Sequence, residues 1–302
     1  MICLLWRQHR WQALWTVLIL AAFSALMVAV GLNANHWLAG YHQWVKALAE
    51  AGCPPPDAHS GDFHVRSATT CQALRGSYPG AMQPAFGDRY NFTILAFQDG
   101  LPATLAIIGA LVGAPVVARE IEQRTHLVSW TQSISRRHWY ATKVTILAAA
   151  LAIVGLVAGV VAHQLQRPLG TGGLIGSRWV WFFSMDLALV GEIVLAFSLA
   201  VALGAWLRRT LPAVGAALAS FIVLLLASGW AVRTLAPSSH TLGPSFDVPV
   251  GSWIIQTSQA HSVPYHPASQ YWLLQLTFLA VLLGLAAVTL VVGWFATRTR
   301  AV

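Results

Sequence analysis

Six apolar runs alternate with polar segments along the 302 residues: Leu14–Leu32, Leu101–Ala118, Val144–His163, Trp179–Trp206, Leu211–Val232 and Tyr271–Ala296. An α-helix rises 1.5 Å per residue, so about 20 apolar residues carry it across a hydrocarbon core of about 30 Å. The pattern therefore predicts an all-α polytopic membrane protein with six transmembrane helices, forming a single transmembrane domain over residues 1–302. Two of the runs carry Gly109-x-x-x-Gly113 and Gly155-x-x-x-Gly159, a spacing of small residues that lets two helices approach closely.

The polar segments differ in kind. Residues 1–12 (MICLLWRQHRWQ) mix Trp6 and Trp11 with Arg7, His9 and Arg10, the composition of an interfacial helix lying along a membrane face. The run after it is too long for a signal-peptide core, so the first span is expected to stay uncleaved. Residues 33–100 are rich in Pro, Gly, His and Asp without sustained periodicity, which predicts a long loop or small cap with short helices near His36–Ala51. Residues 119–143 (REIEQRTHLVSWTQSISRRHWYATK) form a polar island between two membrane-crossing runs, with both signs of charge and two Trp. A Gly-rich connector lies at 164–178, a tight basic turn at Arg208-Arg209-Thr210 with Pro212, and a second long polar segment, rich in Pro, Ser and His, at 233–270.

Composition narrows the class. Hydrophobic residues make up 57% of the chain and charged ones 9%, against about 25% charged in a soluble domain. The net charge of +8 does not point to nucleic acid, because the cations sit at the ends of apolar runs rather than on one face. They act as topology signals. With the long 33–100 segment set aside, Arg7, Arg10, Arg119, Arg124, Arg136, Arg137, Lys143, Arg208, Arg209, Arg298 and Arg300 fall on the side of the termini, and Arg167, Arg178 and Arg233 on the other. The positive-inside rule then puts both termini and the island in the cytoplasm, and the 33–100 and 233–270 loops outside.

Cys53 and Cys71 share the first outer loop, while Cys3 falls on the reducing side. An oxidising exterior permits a Cys53–Cys71 bridge, worth roughly 3 kcal/mol for a loop of about 19 residues; two free thiols are the alternative. No C-x-x-C or H-x-x-x-H spacing is present, so no metal site is expected. The fourth run alone holds acids, Asp186 and Glu192. Six residues turn a helix by about 600°, which leaves the two about 120° apart and predicts that they do not share one site. Asp186 is expected one to two turns in from the outer end, reaching headgroups or Arg178. Glu192 lies deeper, where an acid costs about 2.5–3.5 kcal/mol on insertion scales unless it faces protein, water or a partner. Two readings stand for it: a residue lining a translocation path, or a protonated acid hydrogen-bonded to a neighbouring helix.

The island carries a resemblance. Arg119-Glu120, Thr125-His126, Trp130-Thr131-Gln132-Ser133, Ser135-Arg136, Trp139 and Lys143 resemble the first cytoplasmic loop of ABC-2 type exporter permeases, most nearly the short actinobacterial members. Leu203-Gly204-Ala205 with Arg208-Arg209-Thr210-Leu211-Pro212-Ala213, and Pro267-Ala268-Ser269-Gln270-Tyr271-Trp272, agree with the same family, which usually has Gly where this chain has Arg124. The resemblance implies a bacterial plasma-membrane half-transporter that pairs with a second permease chain, expected as a homodimer, and with two copies of a separate ABC ATPase. It implies that Glu120, Thr125, Trp130, Gln132, Arg136 and Lys143 serve coupling to that ATPase; Asp186 and Glu192 are the candidates for a translocation path on the cost of intramembrane acids alone. ATP and Mg belong to the partner, since this chain has no G-x-x-x-x-G-K-[ST] loop and is expected to bind no cofactor itself. Export of an amphipathic small molecule or peptide follows as the expectation. A non-transporting membrane sensor or immunity protein is the alternative. An integral membrane enzyme or haem carrier is less well supported, because the histidines are scattered through outer loops and only His163 lies in a span.

Overall fold

The computed structural model describes residues 100–122, 135–171, 182–235, 238–242, 253–254 and 262–299, with further positions scattered between 14 and 73. Five long helices dominate them: α1 (Gly100–Glu122), α2 (Arg136–Thr171), α3 (Asp186–Leu207), α4 (Thr210–Leu235) and α5 (Tyr271–Thr299). All five are long and apolar enough to cross a membrane. The expected interfacial helix at 1–12 and most of the expected first span lie outside the described residues. The seven described positions of that span, Leu14, Leu18, Ala21, Ala22, Ala25, Ala29 and Leu32, are helical and exposed.

Two helix starts differ from the apolar runs. α2 begins at Arg136, eight residues before the expected Val144. Ser135 sets this start: its Oγ accepts a hydrogen bond from the His138 N–H at 3.2 Å, as an N-cap side chain does. The end of the polar island is thus helical, which hydrophobicity could not show because that turn precedes the apolar stretch. α3 begins at Asp186, seven residues after the expected Trp179, with Met185 extended and Asp186 in the left-handed region at φ 49°. An acid at this position favours a helix start through the partial positive charge of the helix N-terminus.

α3 is the core of the bundle, in contact with each of the other four helices. Of its apolar stretch 78% is buried, against 28% for α2, 22% for α5 and 17% for α4. Close contact is made at glycines. A Cβ on Gly109 of α1 would stand 2.7 Å from the Ile193 carbonyl oxygen, and one on Gly155 of α2 would stand 2.8 Å from Val190 Cα. Gly113 and Gly159 press on the α3 backbone in the same way, so both small-residue pairs of the sequence receive the same helix. From the opposite direction, Gly293 of α5 meets Ala202 Cα at 2.9 Å by the same measure. Outward, Ile153, Val157, Val223, Leu226, Leu273 and Val288 are exposed, as a lipid-facing surface requires.

α3 ends at Arg208, whose φ of 56° and N–H bond to the Gly204 carbonyl at 3.0 Å turn the chain straight into α4. Thr210 at the start of α4 donates to Glu122 Oε2 at 3.0 Å, which ties this turn to the end of α1. Among the described residues the membrane part is all-helical. Beyond it, the 233–270 segment holds a small antiparallel sheet of β1 (Ser239–Leu242), β2 (Trp253–Ile254) and β3 (Ser262–His266), ordered β1-β3-β2. Strands of two to five residues are too short to give an alternating pattern, so the sequence showed only a polar segment. In the 33–100 segment, residues 46–50 are helical and end at Gly52, φ 70°, with the Cys53 N–H bonded to the Leu48 carbonyl at 2.9 Å. Cys53 is joined to Cys71 by a disulfide, and both are buried with Trp44 and Leu48.

Candidate functional site

The foot of the polar island is closed by an ion pair. Glu120, near the end of α1, and Lys143, in the second turn of α2, are 8% and 6% exposed and bonded to each other. Trp139 lies one turn before Lys143 on the same face of α2, and the Lys143 ammonium sits 4.7 Å from its ring centroid. Next to it, Tyr140 donates its hydroxyl hydrogen to the Leu290 carbonyl of α5 at 3.0 Å. Ions are buried only when paired, and removing one partner of such a pair costs about 3–5 kcal/mol. The pair therefore ties α1 to α2 at this end. Of the residues singled out for coupling, the structure brings Glu120 and Lys143 together. It gives Arg136 as the first residue of α2, while Thr125, Trp130 and Gln132 lie outside the described residues.

At the opposite end of α3, Asp186 is 7% exposed and held from two sides. Its Oδ2 lies 2.9 Å from His163 Nδ1 of α2 and accepts a hydrogen bond from the Tyr271 hydroxyl of α5. Gln275, one turn further along α5, accepts from the Ala188 N–H at 3.0 Å and donates to the Phe182 carbonyl at 3.0 Å. Together these groups satisfy the start of α3. The expected depth of Asp186 is corrected, since it is the first residue of α3 rather than one to two turns inside the span. Arg178, its expected partner, lies outside the described residues, and His163 takes that place. The pairing was legible only as depth: His163 closes the third apolar run, Asp186 opens the fourth helix and Tyr271 opens the last run, so all three belong to one membrane face. The motif Pro267–Trp272 has a structural part in this, as Ala268–Gln270 form a 3-10 turn that delivers Tyr271 to Asp186.

Glu192 is fully buried, and neither of its carboxyl oxygens has a hydrogen-bond partner among the described residues. The hydrogen bond to a neighbouring helix that would explain a structural acid is thus not made among those residues. Asp186, by contrast, is engaged by His163 and Tyr271. Among the described residues no three His, Cys, Asp or Glu are placed to hold a metal ion.

A central helix clasped by four other apolar helices, with Asp186 at its start and Glu192 and Ser198 buried along it, defines a multi-pass membrane protein. Residues 17–233 match the family model described as ABC-2 membrane transporter related, over more than two thirds of the chain and including the whole polar island, so the chain belongs to that family. No curated protein and no solved structure matches it. The protein is a transmembrane permease of the ABC-2 type, a family whose membrane domains typically partner with ABC ATPases.

Proposed function

We propose that this permease is the membrane subunit of an ATP-driven exporter in a bacterial plasma membrane, with six spans and both termini and the 119–143 island in the cytoplasm. It works as a homodimer with two copies of a separate ATPase that holds ATP and Mg, and it moves an amphipathic small molecule or peptide out of the cell. The observation that carries this reading is the buried Glu120–Lys143 pair beneath the island. An ATPase that closes on nucleotide does work only on a rigid handle. Here the handle is fastened to two helices at once, and both of them hold α3 through backbone-close glycine contacts. Displacement of the island is thereby passed to the helix that carries Glu192, which lines the path. A buried carboxyl group with no hydrogen-bond partner among the described residues offers a cationic or hydrogen-bond-donating substrate a polar contact that those residues leave unused.

The test is purification of the tagged chain from its native membrane, followed by reconstitution. An ATPase of the P-loop type should co-purify, and Trp130→Ala or Arg136→Ala should weaken its association or uncouple hydrolysis from export, while Arg124→Gly is tolerated. If the Ala variants export at the normal rate, the island is not the coupling element. Co-purification with hydrolysis that answers to a small molecule but moves nothing would favour the sensor alternative. For topology, a Cys introduced at Thr131 should remain unlabelled by an impermeant thiol reagent in intact cells, and labelling from outside would overturn the orientation.

A further inference from the structure

The first turns of α2 and the last turns of α5 line a groove of about 640 Å³. Its floor is the Tyr140–Trp294 pair, with ring centroids 5.6 Å apart, and its apolar walls are Val144, Leu290 and Val291. At the mouth stand two exposed guanidinium groups, Arg137 from the first turn of α2 and Arg298 from the last turn of α5, the latter 5.5 Å from the Trp294 ring centroid. Both mark the limits of membrane-crossing segments, Arg137–Gln164 and Tyr271–Arg298, so they lie at the same depth, where hydrocarbon gives way to headgroups. Among the described residues neither has a carboxylate within salt-bridge distance, and no acid lines the groove. Glu120, the nearby buried acid, is taken by Lys143.

We propose that this groove is a binding site for one anionic phospholipid of the adjoining leaflet. Arg137 and Arg298 hold its phosphodiester, and an acyl chain lies along Val144, Leu290 and Val291. The match is one of charge and polarity in order of depth. Two planar cations present paired N–H donors suited to phosphate oxygens, aromatic rings occupy the boundary, and only apolar groups lie below. The N-terminal segment of the chain is a poor occupant, because Arg7 and Arg10 are its charges and would meet two further cations. The site does not depend on the export reading. It requires only that the chain span a membrane, so its failure and the failure of that reading are separate results.

The full chain, purified and stripped of loosely held lipid in detergent, is titrated with phosphatidylglycerol, phosphatidylcholine or inorganic phosphate and followed by thermal unfolding and native mass spectrometry. Phosphatidylglycerol should raise Tm by about 5 °C at a hundredfold excess over its Kd and add one retained lipid. Phosphatidylcholine and inorganic phosphate should do neither. Arg137→Gln with Arg298→Gln should abolish the shift and the retained lipid while leaving Tm without lipid unchanged. Val291→Trp, which fills the groove and keeps both charges, should abolish them as well. Arg209→Gln, at an exposed cation outside the groove, should leave both intact. The proposal falls if phosphatidylcholine acts like phosphatidylglycerol, if Arg209→Gln weakens binding as much as the groove variants, or if the groove variants keep the lipid and lose the ATPase instead.

Discussion

Asp186 and Glu192 belong to the same helix, six residues apart, and have opposite surroundings. Asp186 begins α3 at the bundle's edge, where α2 and α5 each reach it with a polar side chain, His163 and Tyr271. Glu192 is less than two turns further on, wholly enclosed, with neither oxygen bonded among the described residues. Glu120 at the other face behaves like Asp186, being buried at a helix end with a partner drawn from the next helix. The difference teaches what an intramembrane acid is for. An acid whose partners come from two neighbouring helices is a fastener, and its worth is read in stability. An acid that makes no hydrogen bond among the described residues fastens nothing there, and under the function proposed above its worth is read in transport.

The comparison breaks most visibly at Glu120. Lys143→Met leaves a buried carboxylate without its cation and should cost about 3–5 kcal/mol, seen as a lower unfolding midpoint in detergent; adding Glu120→Gln should restore most of the loss. If the double variant is no more stable than Lys143→Met alone, the pair is not the fastener. Asp186→Ala comes next, with a loss of about 2 kcal/mol from the bonds to His163 and Tyr271. Tyr271→Phe should lose about 1 kcal/mol, and Tyr271→Phe in the Asp186→Ala background should lose clearly less than it does alone. Glu192 should respond with the opposite sign. Glu192→Met removes an unbonded polar group from the core and should raise stability by about 1 kcal/mol, a direction that no fastening acid shows. Smallest in stability and sharpest in meaning, Glu192→Gln should shift the midpoint hardly at all yet abolish export with normal assembly. Unchanged export of a cationic substrate would remove Glu192 from the path.

Much of the architecture was legible in particular residues. The apolar runs marked all five described membrane helices because hydrocarbon tolerates few other patterns. Gly109, Gly113, Gly155 and Gly159 announced close helix contacts, since only small residues allow backbones to meet. Helix starts were less legible. Ser135 begins α2 through a cap in a polar stretch, and Asp186 begins α3 after a turn within an apolar stretch, so neither start coincides with a change in hydrophobicity.

By itself the sequence determined that this chain crosses a membrane repeatedly, which segments cross, and that Asp186 and Glu192 within an apolar run had to be accounted for, because the transfer of a charge into hydrocarbon is costly wherever the chain runs. Tertiary structure alone decided which of them are accounted for within the fold. Glu120 and Lys143 are 23 residues apart, as are His163 and Asp186, while Asp186 and Tyr271 are 85 apart, and no local rule joins such positions. They meet because α1, α2 and α5 all pack on α3, each at a height set by where a glycine admits another backbone, and that choice of heights leaves Glu192 facing no partner among the described residues.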